Sequence, residues 1–237
     1  MHSGCGLVYL GVPESIWAVE AQKCVSAMPF PLPETDGRLC LAALDKMQDK
    51  LKGCDVLALG PGLGRGKETE QLVHALLWQV KEPLVLDADG INALSGHMDA
   101  LSRRRDRITV LTPHEGEFVR AGGDLSPGRE RAAADFAREH GVYLVLKGPG
   151  TIAAAPDGRC MRNPTGNCGM AKGGSGDVLA GMLGALLCQM PARDAVQTAV
   201  WLHGRAGDLC AGRMGEYAMN PTDVIAALPE VTKPIIR

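Results

Sequence analysis

Asn163-Pro-Thr-Gly-Asn-Cys-Gly-Met-Ala-Lys-Gly-Gly-Ser-Gly-Asp177 runs directly into Val178-Leu-Ala-Gly-Met-Leu-Gly-Ala-Leu-Leu187. A glycine-rich loop thus enters an apolar helix, with one carboxylate at the junction. The first backbone N–H groups of a helix lack intrahelical partners and lie at the positive end of its dipole, so they attract anions. Gly173, Gly174 and Gly176 allow a phosphate to approach those groups without a Cβ in the way. Asp177 repels phosphate, so it is out of place if anion binding is the only task. Two readings stand: a helix cap, with Ser175 a second one, or a base that takes a proton from a hydroxyl attacking the phosphate.

Working outward, apolar runs alternate with helical periodicity. Strands are expected at residues 7–12, 55–59, 84–86, 108–111 and 142–146, with a short hairpin of residues 152–155 and 159–161 around Asp157-Gly158. Helices are expected after Pro13, over 39–52 (Leu41, Leu44, Met47 and Leu51 at helical spacing), 68–80, 129–140, 177–189, 194–209 and 222–228. Pro29-Phe-Pro-Leu-Pro33 reads as a loop, and Arg103-Arg-Arg-Asp-Arg107 as a solvated helix end. Strands alternating with helices imply an α/β fold with a central, mostly parallel sheet covered by helices on both faces. With no repeat, linker or low-complexity segment, residues 1–237 read as a single domain.

The chain has 237 residues, 46% of them hydrophobic but only 4% aromatic, so the core must be aliphatic. A formal net charge of −2 points to neither nucleic acid nor an anionic membrane surface. The eight cysteines include no C-x-x-C pair and match no zinc framework, which fits a reduced, cytoplasmic compartment. Cys168, inside the glycine loop, is oxidisable but is not taken as a catalytic group. No secretory signal is expected, because the residues after Met1 lack a charged segment followed by an apolar one. The apolar stretch 178–187 is too short to cross a bilayer.

Each polar or glycine-rich loop follows a strand, on the carboxyl edge where open α/β sheets bind ligands. Residues 60–66, 87–92, 112–117, 147–151 and 163–177 should therefore converge on one cleft. Gly60-Pro-Gly-Leu-Gly-Arg-Gly66 matches neither a dinucleotide fingerprint nor a Walker loop, and is either a close backbone approach to ligand or a tight turn. Lys147-Gly-Pro-Gly-Thr151 offers a cation and a hydroxyl to phosphate, or is a hairpin turn. His114 at a strand end is a candidate ligand contact. Glu115, Glu117, Asp87 and Asp89 are candidate Mg²⁺ contacts, directly or through water, and the two aspartates are equally plausible caps.

Together, Gly60-Pro-Gly-Leu-Gly64, Asp87-Ala-Asp-Gly-Ile-Asn92, Thr112-Pro-His-Glu-Gly-Glu117, Lys147-Gly-x-x-Thr151 and Gly169-Met-Ala-x-Gly-Gly-Ser-Gly-Asp-Val-Leu179 resemble, in order, the motifs of the ADP- or ATP-dependent NAD(P)H-hydrate dehydratases of the ribokinase-like superfamily. The resemblance covers nearly the whole chain. It implies a lyase of metabolite repair, which uses a nucleoside phosphate to turn the hydroxyl of hydrated NADH or NADPH into a leaving group and restores the normal cofactor. It implies ADP or ATP as co-substrate, Mg²⁺, and a homo-oligomer. By position, it implies Gly62, Gly64, His114 and Asp177 at the hydrated substrate, with Asp177 catalytic. Lys147, Gly148, Pro149, Gly150, Thr151, Gly174, Ser175 and Gly176 are implied at the adenine nucleotide, and Glu117 at the metal.

Three departures are visible. Lys172 stands where relatives usually have Thr, adding a cation beside the phosphate site. Cys168 stands where Pro is usual. Relatives also carry a further strand, a Gly-Gly-Ser loop and a helix that ends near the equivalent of Ser3-Gly-Cys-Gly-Leu7, so one strand and part of the pocket wall are expected to be missing. The alternatives are a small-molecule kinase of the same superfamily, of hydroxymethylpyrimidine or hydroxyethylthiazole type, and a non-catalytic nucleotide-binding paralogue.

Overall fold

The computed structural model describes residues 1–233. In chain order the elements are β1 (Tyr9–Pro13), α1 (Trp17–Lys23), β2 (Met28–Leu32), β3 (Glu34–Thr35), β4 (Arg38–Leu39), α2 (Ala43–Leu51), β5 (Leu57–Leu59), α3 (Lys67–Gln79), β6 (Leu84–Leu86), α4 (Asp89–Asn92), β7 (Thr109–Leu111), α5 (Glu115–Arg120), α6 (Arg129–His140), β8 (Tyr143–Leu146), β9 (Ile152–Ala154), β10 (Cys160–Arg162), α7 (Ser175–Leu187), α8 (Ala192–Met214) and α9 (Pro221–Thr232). Six strands form the central sheet in the order β10-β9-β8-β7-β6-β5. β5 to β8 are parallel, and β9 is antiparallel to both β8 and β10.

Two-residue alternation along the strands sorts the sheet's side chains into two cores. Leu84, Leu86, Leu111, Leu144, Leu146 and Ile152 pack with α2, α3 and α6 on one face. Val85, Val110, Val145 and Ala153 pack with α7, α8 and α9 on the other. Burial on both faces explains why these strands read as unbroken apolar runs. Each fully buried Leu or Val contributes roughly 1.5–3 kcal/mol relative to an exposed one.

Four sequence expectations need correction. Residues 29–33 are not a loop: Met28–Leu32 is strand β2, parallel to β1 in a separate two-stranded sheet. Met28 N–H donates to Val8 at 2.8 Å, so Pro29 and Pro31, one residue out of phase, turn their N–H-less nitrogens to the free side. The helix expected over 39–52 starts only at Ala43, because Thr35-Asp36-Gly37-Arg38 makes a hairpin first. Asp36 and Gly37 take φ of 51° and 74°, the pair of left-handed residues that a tight two-residue turn needs. Leu41, counted on the apolar face of that helix, is therefore left exposed.

The basic run is also not simply solvated. Arg104 is 1% exposed. It donates to Thr109 Oγ1 and to the carbonyls of Leu77, Val80 and Glu82. Burial pushes its pKa down to about 10, so it stays charged at neutral pH and knots the end of α3 to β7. Finally, helix α8 runs to Met214, beyond the expected end at residue 209.

Candidate active site

The loops after β5, β6, β7, β8 and β10 do meet on one edge of the sheet, and glycine lets them touch. A Cβ on Gly60 would lie 1.7 Å from the Asp87 carbonyl oxygen, and one on Gly90 would lie 2.7 Å from the Leu59 oxygen. The first loop thus crosses the second backbone to backbone. Gly62, at φ 71°, is exposed and has nothing within 4 Å of an added Cβ, so its backbone is open to a ligand.

The β6 loop sends its two aspartates in different directions, and neither caps a helix. Asp87 is 1% exposed. Its Oδ1 accepts from Lys147 Nζ at 2.7 Å. Asp89 accepts from Gly64 N–H at 3.1 Å, from Arg65 Nε–H at 3.2 Å and from the Asn92 amide, bracing the 60–66 loop. Ala88 between them is held at φ 47°, a conformation costing a β-carbon-bearing residue about 1–3 kcal/mol. The two anchored neighbours hold it there.

After β7, His114 caps α5. Its Nδ1 accepts from Gly116 and Glu117 N–H, and the Glu117 carboxylate accepts from His114 N–H at 2.9 Å, closing a capping box. With Nδ1 used as acceptor, Nε2 is the nitrogen left to donate. Glu117 is 6% exposed and lies 3.9 Å from Lys147 Nζ. Lys147 therefore bridges Asp87 and Glu117 on the cleft floor, where the two carboxylates offset its charge. Above them, a Cβ on Gly176 would meet Lys147 Nζ at 3.2 Å and Asp87 Oδ2 at 3.6 Å, so the first turn of α7 rests on this ion pair.

Helix α7 begins at Ser175 behind an N-cap Gly174 with φ 91° and no side-chain cap. Ser175 N–H bonds Lys172 and Val178 N–H bonds Gly174, whereas the N–H groups of Gly173, Gly174, Gly176 and Asp177 have no hydrogen-bond acceptor among the described residues. Asp177, in the third helical position, is exposed and makes no hydrogen bond there. Bare N–H groups of this kind can take an anion, and the Asp177 carboxylate stands beside them. The loop before it is pinned to α8: Asn163 donates to Val200, Thr165 to Trp201, and Asn167 to Asp208. Gly204 and Gly207 make room, since a Cβ there would lie 2.3 Å from Thr165 Oγ1 and Met170 Sδ.

Several expected residues sit differently. The Lys172 ammonium bonds the carbonyls of Tyr217 and Met219, so it secures the loop that borders the start of α7. Cys168 donates its thiol to Glu216 at 2.6 Å, and that acid pushes its pKa up, away from the thiolate. Thr151 Oγ1 is turned onto the Gly148 carbonyl. Ser175 supplies no cap hydrogen bond from its side chain.

Two residues escaped sequence reasoning. Arg129, at the start of α6, donates to the carbonyls of Leu146, Lys147, Pro149 and Gly150, holding the whole 147–151 turn from behind. Gly148 takes φ 142°, which L side chains rarely adopt, and that favours glycine here. His203 of α8 is 9% exposed beneath the start of α7, with Nε2 unpartnered. Burial, partly offset by a hydrogen bond to the Ser175 backbone, pushes its pKa down to about 4. No local pattern marks either residue, because both act across long sequence separations.

Among the described residues no group of three or more His, Cys, Asp or Glu is placed to hold a metal. Asp87 is committed to Lys147, and Glu117 to His114 and Lys147. The donor set fits a Mg²⁺ that arrives on phosphate oxygens and takes one carboxylate or its water, not an ion caged by protein.

The fold is that of a ribokinase-like α/β protein, with bare N–H groups and a carboxylate at the carboxyl edge of its sheet. The family model described as NAD(P)H-hydrate dehydratase matches residues 1–230. The chain belongs to that family. It is 41% identical over 239 residues to the bifunctional NAD(P)H-hydrate repair enzyme of Moorella thermoacetica, covering 98% of this chain and 45% of that protein. It is 34% identical over 242 residues to the ADP-dependent (S)-NAD(P)H-hydrate dehydratase of Bacillus subtilis, covering 98% and 81%. The solved structure of the Bacillus subtilis ADP/ATP-dependent NAD(P)H-hydrate dehydratase, co-crystallised with ATP/Mg²⁺, matches with a TM-score of 0.77 at 31% identity, over 99% of this chain and 81% of that one. A ribokinase-like superfamily protein from Enterococcus faecalis matches with a TM-score of 0.84 at 27% identity, over 98% and 78%. The chain spans less than half the length of the first curated relatives it matches.

Proposed function

We propose that the protein is a nucleotide-dependent NAD(P)H-hydrate dehydratase that restores NADH and NADPH from their hydrated forms with ADP or ATP and Mg²⁺. One observation carries the reading: four N–H groups, at residues 173, 174, 176 and 177, without an acceptor among the described residues, beside the exposed Asp177 carboxylate. Donors of that kind stabilise charge on a transferring phosphoryl group, and a carboxylate on their rim is suited to take the hydroxyl proton of the hydrated ring. The hydroxyl oxygen then bonds to phosphorus as the bond to the nucleotide breaks. Loss of the new phosphate with a ring proton restores the double bond.

On this reading Gly62, Gly64 and His114 contact the hydrate, with His114 Nε2 donating. Residues 147–151, held by Arg129, and Gly174, Ser175 and Gly176 take the nucleotide. Mg²⁺ would be held by phosphate with Glu117 or Asp177 nearby, and would supply charge neutralisation. Residues 1–237 act as one domain. Exposed Leu7, Ile16, Trp17, Val19 and Met28, grouped around α1 and the β1–β2 pair, support the expected homo-oligomer. No helix among the described residues is long and apolar enough to cross a membrane; the cytoplasmic location rests on the cysteine pattern alone.

The test is direct. Protein incubated with hydrated NADH, Mg²⁺ and ADP or ATP should regenerate the near-ultraviolet absorbance of NADH. No recovery with either nucleotide, or a stable phosphorylated vitamin precursor as product, would reject the proposal.

A further inference from the structure

A second cavity, of about 170 Å³, lies beside the proposed hydrate site between residues 64–70 and helices α4 and α5. On a comparable measure a single water needs only about 10–15 Å³. Thr69 lines it and is 2% exposed, yet its hydroxyl has no hydrogen-bond partner among the described residues. A buried hydroxyl without a partner costs about 1–3 kcal/mol, so this one is built for a group that arrives from outside. Two cations line the same space. Arg65 uses its Nε on Asp89 and Arg120 its Nε on Asn92 Oδ1, and no terminal guanidinium nitrogen of either is bonded among the described residues. Helix α3, 13 residues long, starts here behind Gly66 with no side-chain cap, so its first N–H groups add positive potential.

Two acids, Asp89 and Glu70, share the wall and balance the two guanidinium charges, and Glu68 and Glu70 lie in the first turn of α3, so recognition here rests on directed donors and not on net charge. Asp89 already accepts from Gly64, Arg65 and Asn92. Glu70 is exposed. The cavity also adjoins the proposed substrate position: Gly64 belongs to both, and Arg120 lies six residues along α5 from its cap His114, about 9 Å at the helical rise.

Resting on the hydrate-dehydratase reading, we propose that this cavity binds a phosphate of the adenosine half of the dinucleotide substrate. Arg65, Arg120, Thr69 Oγ1 and the N-terminus of α3 are the donors. Two phosphates of that half share this chemistry, the pyrophosphate present in both hydrates and the 2′-phosphate present only in the NADPH form.

Steady-state kinetics of Arg120→Gln and Thr69→Val decide the matter. Valine matches threonine in shape and removes only the hydroxyl, so the fold should survive. KM for hydrated dinucleotide should rise about tenfold, the worth of one charge-assisted hydrogen bond, with kcat and the KM for ADP or ATP within about twofold. A rise for hydrated NADPH alone supports the proposal and assigns the 2′-phosphate; an equal rise for both hydrates supports it and assigns the pyrophosphate. Unchanged KM for both hydrates, or a change confined to ADP or ATP, overturns it. Calorimetry with 2′,5′-ADP gives a readout independent of turnover. Binding weakened about tenfold in Thr69→Val supports the cavity even where the wild type turns over neither hydrate, and equal binding by the two proteins overturns it.

Discussion

At the scale of single residues, the site separates groups that act from groups that hold. Asp177 is exposed and unbonded, so Asp177→Asn changes charge without disturbing packing. Turnover should fall by at least about 100-fold, the usual worth of a general base, while nucleotide affinity measured by calorimetry stays within a few-fold. Unchanged turnover would remove Asp177 from that role. Asp87 holds. Replacing it by Asn removes the partner of a half-buried Lys147 on which Gly176 rests. A loss of about 3 kcal/mol is expected, seen as a lower thermal midpoint, and adding Lys147→Met should recover part of it. His203 titrates. Free imidazole takes a proton at pH 6.5 and the buried one at about 4, so between those values the unfolded chain binds the extra proton. Stability is therefore full above pH 6.5 and falls as the pH drops toward 4, by roughly 3 kcal/mol in all. His203→Gln should flatten that part of the pH dependence of the urea midpoint.

At the scale of elements, the central strands and most long helices were legible because their periodicity is strong. The ligand loops were legible because glycines and polar residues cluster where apolar runs stop. What failed was local chemistry at the sheet's margin. Pro29 and Pro31 disguise an edge strand, since the bonding side of β2 is carried by the residues that alternate with them, Met28 first among them. Asp36-Gly37 is a hairpin signal that the helical spacing beginning at Leu41 masks. Within the site, the bare N–H groups at the start of α7 were legible from sequence, because the first turn of any helix leaves its N–H groups without intrahelical partners. Lys147 was legible as a cation in the cleft, but its pairing with Asp87, 60 residues away, depends on the order of the strands. Arg129 and His203 depend on it too, and a motif cannot encode that.

At the scale of the whole molecule, the β1–β2 pair shares no hydrogen-bonded ladder with the six-stranded sheet, and β5 ends that sheet. Only β2's Leu32 and β1's Val12 are buried in this pair, whereas β6 and β7 are buried along their length. Amide exchange should follow this division: β1 and β2 protons should exchange through local opening, well before those of β6, β7 and β8. Equal protection across both sheets would mean that the two unfold together.

The contact between Gly60 and the Asp87–Gly90 turn carries a mechanical implication. With no side chain interposed, there is nothing compressible between the two stretches of main chain, so they are geared to each other. A push on one is delivered through Asp87 and Lys147 to the start of α7. On the proposed function, a ligand bound in one half of the cleft is expected to change the affinity of the other half, a coupling that calorimetry with each ligand alone and with both together measures.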